Sequence, residues 1–324
     1  MEPDRPRLTI IGLGLIGGSL GLALKKPGIA HEIVGHTRRF EVAQRARAMG
    51  AIDRAEWNLP AAVSGADIVI LAVPPRAMAA LMEQMAPHLQ AGAIVTDVGS
   101  TKQEIIAAAE SALPPNVAFV GGHPMAGREQ AGLEHAEAGL FQGATYCVVA
   151  GPRSTDRAVD VVHSLARAVG GHPFTIDAAE HDSLVAAVSH LPFVTAAALV
   201  RVAAGSPSWV DLQRLAAGGF RDGTRTASGD VVMHRDIALS NRQAIVRWLD
   251  DLVSELQRVR ATILDGDAGG LEAWFAEAKQ ERDTWLERRG DWTVPGAAVP
   301  MPPRGELTDS LLGRFGRLIK PREQ

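Results

Sequence analysis

Five side chains in this 324-residue chain have types and neighbours suited to proton transfer or carboxylate binding. His123 follows two glycines and precedes a proline, in Gly121-Gly122-His123-Pro124, at the end of a predicted strand. A histidine there is suited to accept a proton at neutral pH, or to bond its own loop as a structural residue. Ser100 follows Gly99 at a neighbouring strand end and opens a helix, so its hydroxyl suits either chemistry or a helix N-cap. His190 lies just before Leu191-Pro192 in an otherwise apolar helical stretch. Pro192 has no N–H, so the carbonyl of Val188 loses its helical partner and the pattern predicts a kink beside His190. Arg221 and Arg225 sit in the glycine-flanked stretch Gly218 to Arg225, read as a loop. Either guanidinium can clamp a carboxylate, and Arg221 can equally pair with Asp222.

These side chains need elements to position them, and the chain opens with a glycine-rich one. Leu8 to Ile11 is a short apolar run that breaks at Gly12 and resumes as a helical pattern through Leu20, Leu22 and Leu24. Gly12, Gly14 and Gly17 form G-x-G-x-x-G between strand and helix, the context in which the motif binds a dinucleotide. Leu15 and Ile16 open the helix whose free N–H groups face the phosphates. Glu32 to Gly35 predicts the second strand, and His36-Thr37-Arg38-Arg39 follows it with no carboxylate before Glu41. Thr37, Arg38 and Arg39 suit a 2′-phosphate, so NADP is expected over NAD, the alternative being arginines on a solvated loop.

Further strands are predicted at Ala66 to Val73, Ala93 to Asp97, Val117 to Val120, Tyr146 to Ala150 and His172 to Ile176. Val73, at a strand end, is placed beside the cofactor. Helices alternate with them: to about Lys26, with Pro27-Gly28 as its stop, then Glu41 to Met49, Ala77 to Leu89, to about Ser111, and Thr155 to Val169. The alternation predicts an α/β, doubly wound, parallel Rossmann-type domain over residues 1–178. An all-helical substrate and dimerisation domain is expected over 179–290. Glu180 to Ala204, Leu212 to Ala217, Arg235 to Ile263 and Leu271 to Leu286 are read as its helices. Its long apolar faces suit intrachain packing or a homodimer interface. A proline-rich tail, 291–324, contains Pro295, Pro300, Pro302 and Pro303 and a short amphipathic stretch, Leu307 to Ile319.

Hydrophobic content of 46% supports a full core, and a net charge of −4 gives no sign of a nucleic-acid partner. Cys147 is the only cysteine, so no intrachain disulfide or cysteine-based zinc site forms. The histidines are scattered, and no metal site is expected. The short polar start shows no signal-peptide core, and no apolar run is read as reaching membrane-span length. A soluble, cytoplasmic setting is the expectation.

Five stretches in order resemble the prephenate/arogenate dehydrogenases of tyrosine biosynthesis: Gly12 to Leu20, Asp97 to Lys102, Gly121 to Gly127, His181-Asp182 with Ser189-His190-Leu191-Pro192, and Gly218 to Arg225. The resemblance covers roughly residues 7–290, two modules on the usual domain scale. It implies oxidative decarboxylation of prephenate or arogenate with hydride transfer to NADP, or to NAD. It places the acceptor for the substrate's ring hydroxyl on His123 and a supporting serine on Ser100. His190 then lines the substrate site and Arg225 holds the ring carboxylate. Phe193 departs from relatives that carry a second histidine after the Leu-Pro pair. Two other classes share the architecture: a β-hydroxyacid dehydrogenase or imine reductase, and a non-catalytic dinucleotide sensor. The absence of lysine between Lys102 and Lys279 weighs against the lysine-dependent version of the former.

Overall fold

A computed structural model describes residues 6–25, 32–128 and 130–288. The expected helix stop at Pro27-Gly28 and the whole 291–324 tail lie outside the described residues. The strands are β1 (Arg7–Ile11), β2 (Glu32–His36), β3 (Arg54–Ala55), β4 (Ile68–Leu71), β5 (Ile94–Asp97), β6 (Ala118–Pro124), β7 (Thr145–Ala150) and β8 (His172–Thr175). They pair in the order β3-β2-β1-β4-β5-β6-β7-β8. The first six have the doubly wound order, which opens a crevice where β1 neighbours both β2 and β4. β-branched runs such as Ile68-Val69-Ile70 are buried on both faces, as a parallel sheet covered by helices requires.

The helices of this part are α1 (Leu15–Leu24), α2 (Phe40–Ala48), α3 (Leu59–Val63), α4 (Pro75–Met85), α5 (Gln103–Ala112) and α6 (Asp156–Ala168). One sheet face packs Leu8, Ile10, Ile70 and Val148 with Leu20 of α1 and Leu165 of α6. The other packs Ile11, Val69, Leu71 and Val95 with Met78 and Met82 of α4 and Ile105 of α5. Side chains of successive strand residues thus alternate between two cores.

The all-parallel expectation fails at one place. β6 and β7 pair antiparallel, with His123 opposite Cys147. Among the described residues of 125–144 the only helical element is a short 3-10 turn, Leu133–His135, and no crossover helix is found there to carry the chain back to start a parallel strand. β6 also runs on through Pro124, past the expected end at Val120, because β7 supplies partners there. β5 pairs with it only as far as Val120, leaving His123 on an overhang beyond the end of β5. The two-residue β3 was not expected.

The helical part begins with α7 (Ala178–Val185), a π-helical segment at Ala186–His190, and α8 (Leu191–Ala204). The π segment sits where the proline predicts a kink: the helix meets the missing Pro192 donor with a widened turn. The continuous stretch Ala178–Ala204 contains an 18-residue window of mean hydropathy 1.8 and is long and apolar enough to cross a membrane, which corrects the reading that no run reaches that length. It carries buried His181, Asp182 and His190, tied by hydrogen bonds to neighbouring elements, as in a helix packed on protein. α9 (Trp209–Leu215) and α10 (Gly218–Thr224) follow. The Gly218 stretch is therefore helical, not a loop. Thr224 Oγ1 donates to the Phe220 carbonyl, and α10 packs on α8, so tertiary contacts override the poor helix propensity of Gly218, Gly219 and Gly223. α11 (Val231–Ser240) and α12 (Arg242–Leu264) replace one expected long helix, with the break at Asn241, and α13 (Ala268–Arg288) ends the described chain.

The contacts divide the chain after Ile245. α7 to α11 belong with the sheet in the first unit. The second, described over residues 246–288, contains most of α12 and all of α13, where Trp274 Nε1 donates to Glu255 at 2.6 Å.

Candidate functional site

Gly12 ends β1 at φ +99°, and its N–H donates to the His36 carbonyl at 2.9 Å. A side chain there would place Cβ 2.2 Å from the Ala72 carbonyl oxygen and 2.8 Å from Val73 Cγ1, so Val73 lies against the turn. At Gly17, Cβ would sit 1.9 Å from the Gly12 carbonyl oxygen, so only glycine lets α1 approach the strand end. Gly14 caps α1 without a side chain, and nothing lies within 4 Å of where its Cβ would point. Leu15 and Ile16 form the first turn, which carries no acidic residue. The open space, free N–H groups and absent acid fit a pyrophosphate. Thr37, Arg38 and Arg39 follow β2 at the same end of the sheet. Arg38 and Arg39 are exposed, and neither meets an acidic partner among the described residues.

At the end of β5, buried Asp97 forms a knot. Its Oδ2 accepts from Gly99 N at 2.7 Å and from the buried Lys102 ammonium, and its Oδ1 accepts from Gly122 N at 3.1 Å. The 99–102 turn and the β6 overhang are thereby fastened to each other. Gly122 has to be glycine, since a Cβ would lie 2.5 Å from the Asp97 carbonyl oxygen. Ser100, half-buried, rides on this turn. It does not cap α5, which starts at Gln103. The cap comes from Asp182 of α7, whose carboxylate accepts from Lys102 N at 2.7 Å and Gln103 N at 3.0 Å.

His123 is buried on the overhang, with Nδ1 2.9 Å from His181 Nε2. His181 Nδ1 lies 2.8 Å from Asp182 Oδ1. Burial foremost, then the neighbouring His181, Lys102 and His190, hold the His123 pKa well below the ordinary histidine value. For Asp182, burial pushes the pKa up, but hydrogen bonds from His181, Gln103 N and Lys102 N outweigh it and keep the carboxyl ionised.

His190 closes the π segment and is buried. Asn241, freed by the break between α11 and α12, places Nδ2 2.7 Å from the Asp182 carbonyl oxygen and 3.2 Å from His190 Nδ1. A carbonyl only accepts, so the Asn241 atom facing it is the NH₂ group. Its second hydrogen then points at His190 Nδ1, which puts the imidazole proton on Nε2. That Nε2–H is buried and makes no close hydrogen bond among the described residues; a weak interaction of the ring with the Ser100 backbone slightly opposes the downward pKa shift. Burial, partly opposed by Asp182, pushes the His190 pKa down to about 4, so the ring is neutral.

The two arginines are placed differently. Arg221 is exposed and ion-paired with Asp222 at 2.9 Å, the structural alternative considered for it. Arg225 starts the turn after α10, and the next residue, Thr226, donates from Oγ1 to the Pro192 carbonyl at 3.4 Å. Its turn therefore lies against the helix start next to His190. Phe193, where some relatives carry histidine, stacks on His234 of α11 at 4.1 Å between ring centroids. Cys147 is buried, with its thiol pushed up to about 11 by burial, and is unreactive.

Three residues escaped the reading of the sequence as site residues: Asp97, Lys102 and Asn241. Asp97 and Lys102, like His181 and Asp182, were noticed only as parts of motifs. A lone asparagine has no spacing signature, whereas the Asp97 to Lys102 stretch and the His181-Asp182 pair near the start of the apolar helix were usable signals.

Residues 20–175 match the family model described as prephenate dehydrogenase, nucleotide-binding domain, and 177–277 match prephenate dehydrogenase, dimerization domain. Prephenate dehydrogenase of Bacillus subtilis is 36% identical over 285 residues, covering 87% of this chain and 77% of that protein. Among solved structures, prephenate dehydrogenase from A. aeolicus, in complex with hydroxyphenyl propionate and NAD+, superposes with a TM-score of 0.81 at 28% identity, covering 88% of this chain and 99% of the other. Synechocystis arogenate dehydrogenase gives 0.74 at 29% identity, covering 86% and 99%. With both family models matching over most of its length, the chain belongs to the prephenate dehydrogenase family.

Proposed function

We propose that the chain catalyses oxidative decarboxylation of prephenate or arogenate, producing 4-hydroxyphenylpyruvate or tyrosine in tyrosine biosynthesis. The observation that carries the reading is the grouping of His123, His181, Asp182 and His190 beyond the carboxyl ends of the strands, on the sheet whose first turn is the glycine cradle. Gly12, Gly14, Gly17, Leu15, Ile16 and Val73 hold the dinucleotide. Bound there, its oxidised nicotinamide supplies the hydride acceptor. His123, neutral because of its depressed pKa, takes the proton of the ring hydroxyl. Ser100 supports that hydroxyl from the turn fixed by Asp97. His190 offers its Nε2–H, which no close bond holds, to the substrate. Arg225 holds the ring carboxylate in place until it leaves as carbon dioxide, and Arg221 is a secondary candidate for anion binding. Alignment, rather than strong acid–base chemistry, is the main demand on the protein, because aromatisation drives the step.

Thr37, Arg38 and Arg39 favour NADP over NAD. Residues 1–178 serve the dinucleotide and 179–290 the substrate and a homodimer, in a cytoplasmic enzyme. The dimer is supported by apolar side chains left uncovered in one chain: Val188, Val202 and Leu215 are 71%, 77% and 79% exposed. Light scattering checks the mass. The hydroxyacid dehydrogenase and sensor readings are not favoured, since neither calls for a buried histidine pair on a carboxylate.

The test is cofactor reduction by purified protein with prephenate and arogenate, each with NADP and NAD. Turnover in one mixture is expected, and its loss in His123→Asn with cofactor binding retained. Absence of turnover in all four overturns the reading.

A further inference from the structure

The structure points to Asp182 and His181 as positioning residues that set which nitrogen of His123 is free to act as the base. We propose that Asp182 holds the proton of His181 on Nδ1, and that His181 Nε2 in turn holds the proton of His123 on Nδ1, leaving His123 Nε2 bare. This rests on His123 being the base, as argued above, and names the atom.

The argument runs from the end of the chain that has no freedom. Asp182 receives two backbone N–H groups, Lys102 N at 2.7 Å and Gln103 N at 3.0 Å. A backbone N–H only donates, so the carboxyl is acting as an acceptor at both oxygens. Oδ1 also faces His181 Nδ1 at 2.8 Å, and an ionised carboxylate accepts, so that nitrogen carries its hydrogen. A neutral imidazole with its hydrogen on Nδ1 presents a lone pair at Nε2. That lone pair faces His123 Nδ1 at 2.9 Å, and two facing lone pairs would repel, so His123 also carries its hydrogen on Nδ1. Its Nε2 is left as the acceptor. His181 is fully buried and Asp182 nearly so, which means water does not offer either ring a substitute partner.

The same logic gives His190 the opposite form, since Asn241 donates to its Nδ1 and leaves a hydrogen on Nε2. The two site histidines are thus set as one acceptor and one donor. A ring hydroxyl losing its proton and an oxygen needing a hydrogen bond are a matched pair of demands for such a site. A free histidine in water prefers its hydrogen on Nε2, so His123 is held in the less common form, and holding it there requires a partner.

The experiment is nitrogen NMR of protein labelled with ¹⁵N-histidine at neutral pH, with the His123 signals assigned by their disappearance in His123→Asn. The expected result is a protonated Nδ1 and a bare, pyridine-like Nε2 for His123. A protonated Nε2 overturns the proposal. This readout needs no substrate, so it stands apart from the proposed reaction. Two variants add a kinetic readout. His181→Leu offers His123 no acceptor, and kcat falls about a hundredfold, with KM within about threefold, the scale of losing a positioned base. His181→Gln offers a carboxamide oxygen to His123 Nδ1–H and retains kcat within about tenfold of the unmodified protein. Equal losses in both, or an unchanged kcat in His181→Leu, overturn control of the tautomer.

Discussion

Replacing Asp97 by asparagine tests whether the knot under Ser100 is held by charge. Asp97 and Lys102 are both fully buried and paired with each other. Asparagine keeps the shape but leaves the ammonium without a counter-charge, away from water. Breaking a buried pair from one side costs about 3–5 kcal/mol. The carboxylate also accepts from Gly99 N and Gly122 N, one on each oxygen. An amide accepts with its oxygen only and turns its NH₂ against the other donor, adding about 1–3 kcal/mol. The expected loss is therefore at least about 4 kcal/mol, read from urea unfolding followed by circular dichroism. Lys102→Met loses less, because Asp97 keeps two backbone donors. Combining the two removes the stranded ammonium, so the double variant is more stable than the sum of the single losses by about 2 kcal/mol or more. A loss under about 1 kcal/mol in Asp97→Asn, or simple additivity, refutes the reasoning.

Three further outcomes follow from the site. Since burial and the nearby His181, Lys102 and His190 depress the His123 pKa, the base stays neutral as pH falls through the ordinary histidine range. The acid limb of kcat/KM then lies below that range, and a limb at about 6.5 contradicts the shift. Arg38→Ala combined with Arg39→Ala raises KM for NADP about tenfold or more and leaves KM for NAD nearly unchanged; equal effects on both remove the arginines from 2′-phosphate binding. Gly17→Ala destabilises the fold through its 1.9 Å clash, whereas Gly14→Ala folds normally and loses dinucleotide affinity by titration, because its methyl projects into open space reserved for the phosphates. Normal affinity in Gly14→Ala contradicts the placement of the cradle.

The order of helices and buried strands was legible because β-branched runs and glycine stops repeat on the scale of a βαβ unit. Strand direction was not, since Tyr146 to Ala150 has the same apolar composition whichever way it runs; the missing crossover helix before it was the available clue. Glycines at 218, 219 and 223 suggested a loop, but packing on α8 decided otherwise. His123, Ser100 and His190 stood out by their neighbours in sequence. Asn241 did not, because its role exists only once the break after Ser240 brings it to Asp182 and His190. Lys102 is fully buried against Asp97, a contact that exists only once the turn between them has formed.

The capping of α5 by Asp182 spans eighty residues of sequence. The first turn of α5 is therefore completed by a helix that joins it late along the chain. When α7 lifts away, the amides of Lys102 and Gln103 lose their acceptor at the same moment that His181 loses its carboxylate. Hydrogen exchange at those two amides reports the opening of α7 separately from the opening of the sheet. An excursion of one helix, with every strand still paired, is enough to disconnect the histidines, so the site is lost in any local opening of α7 that leaves the rest of the fold intact.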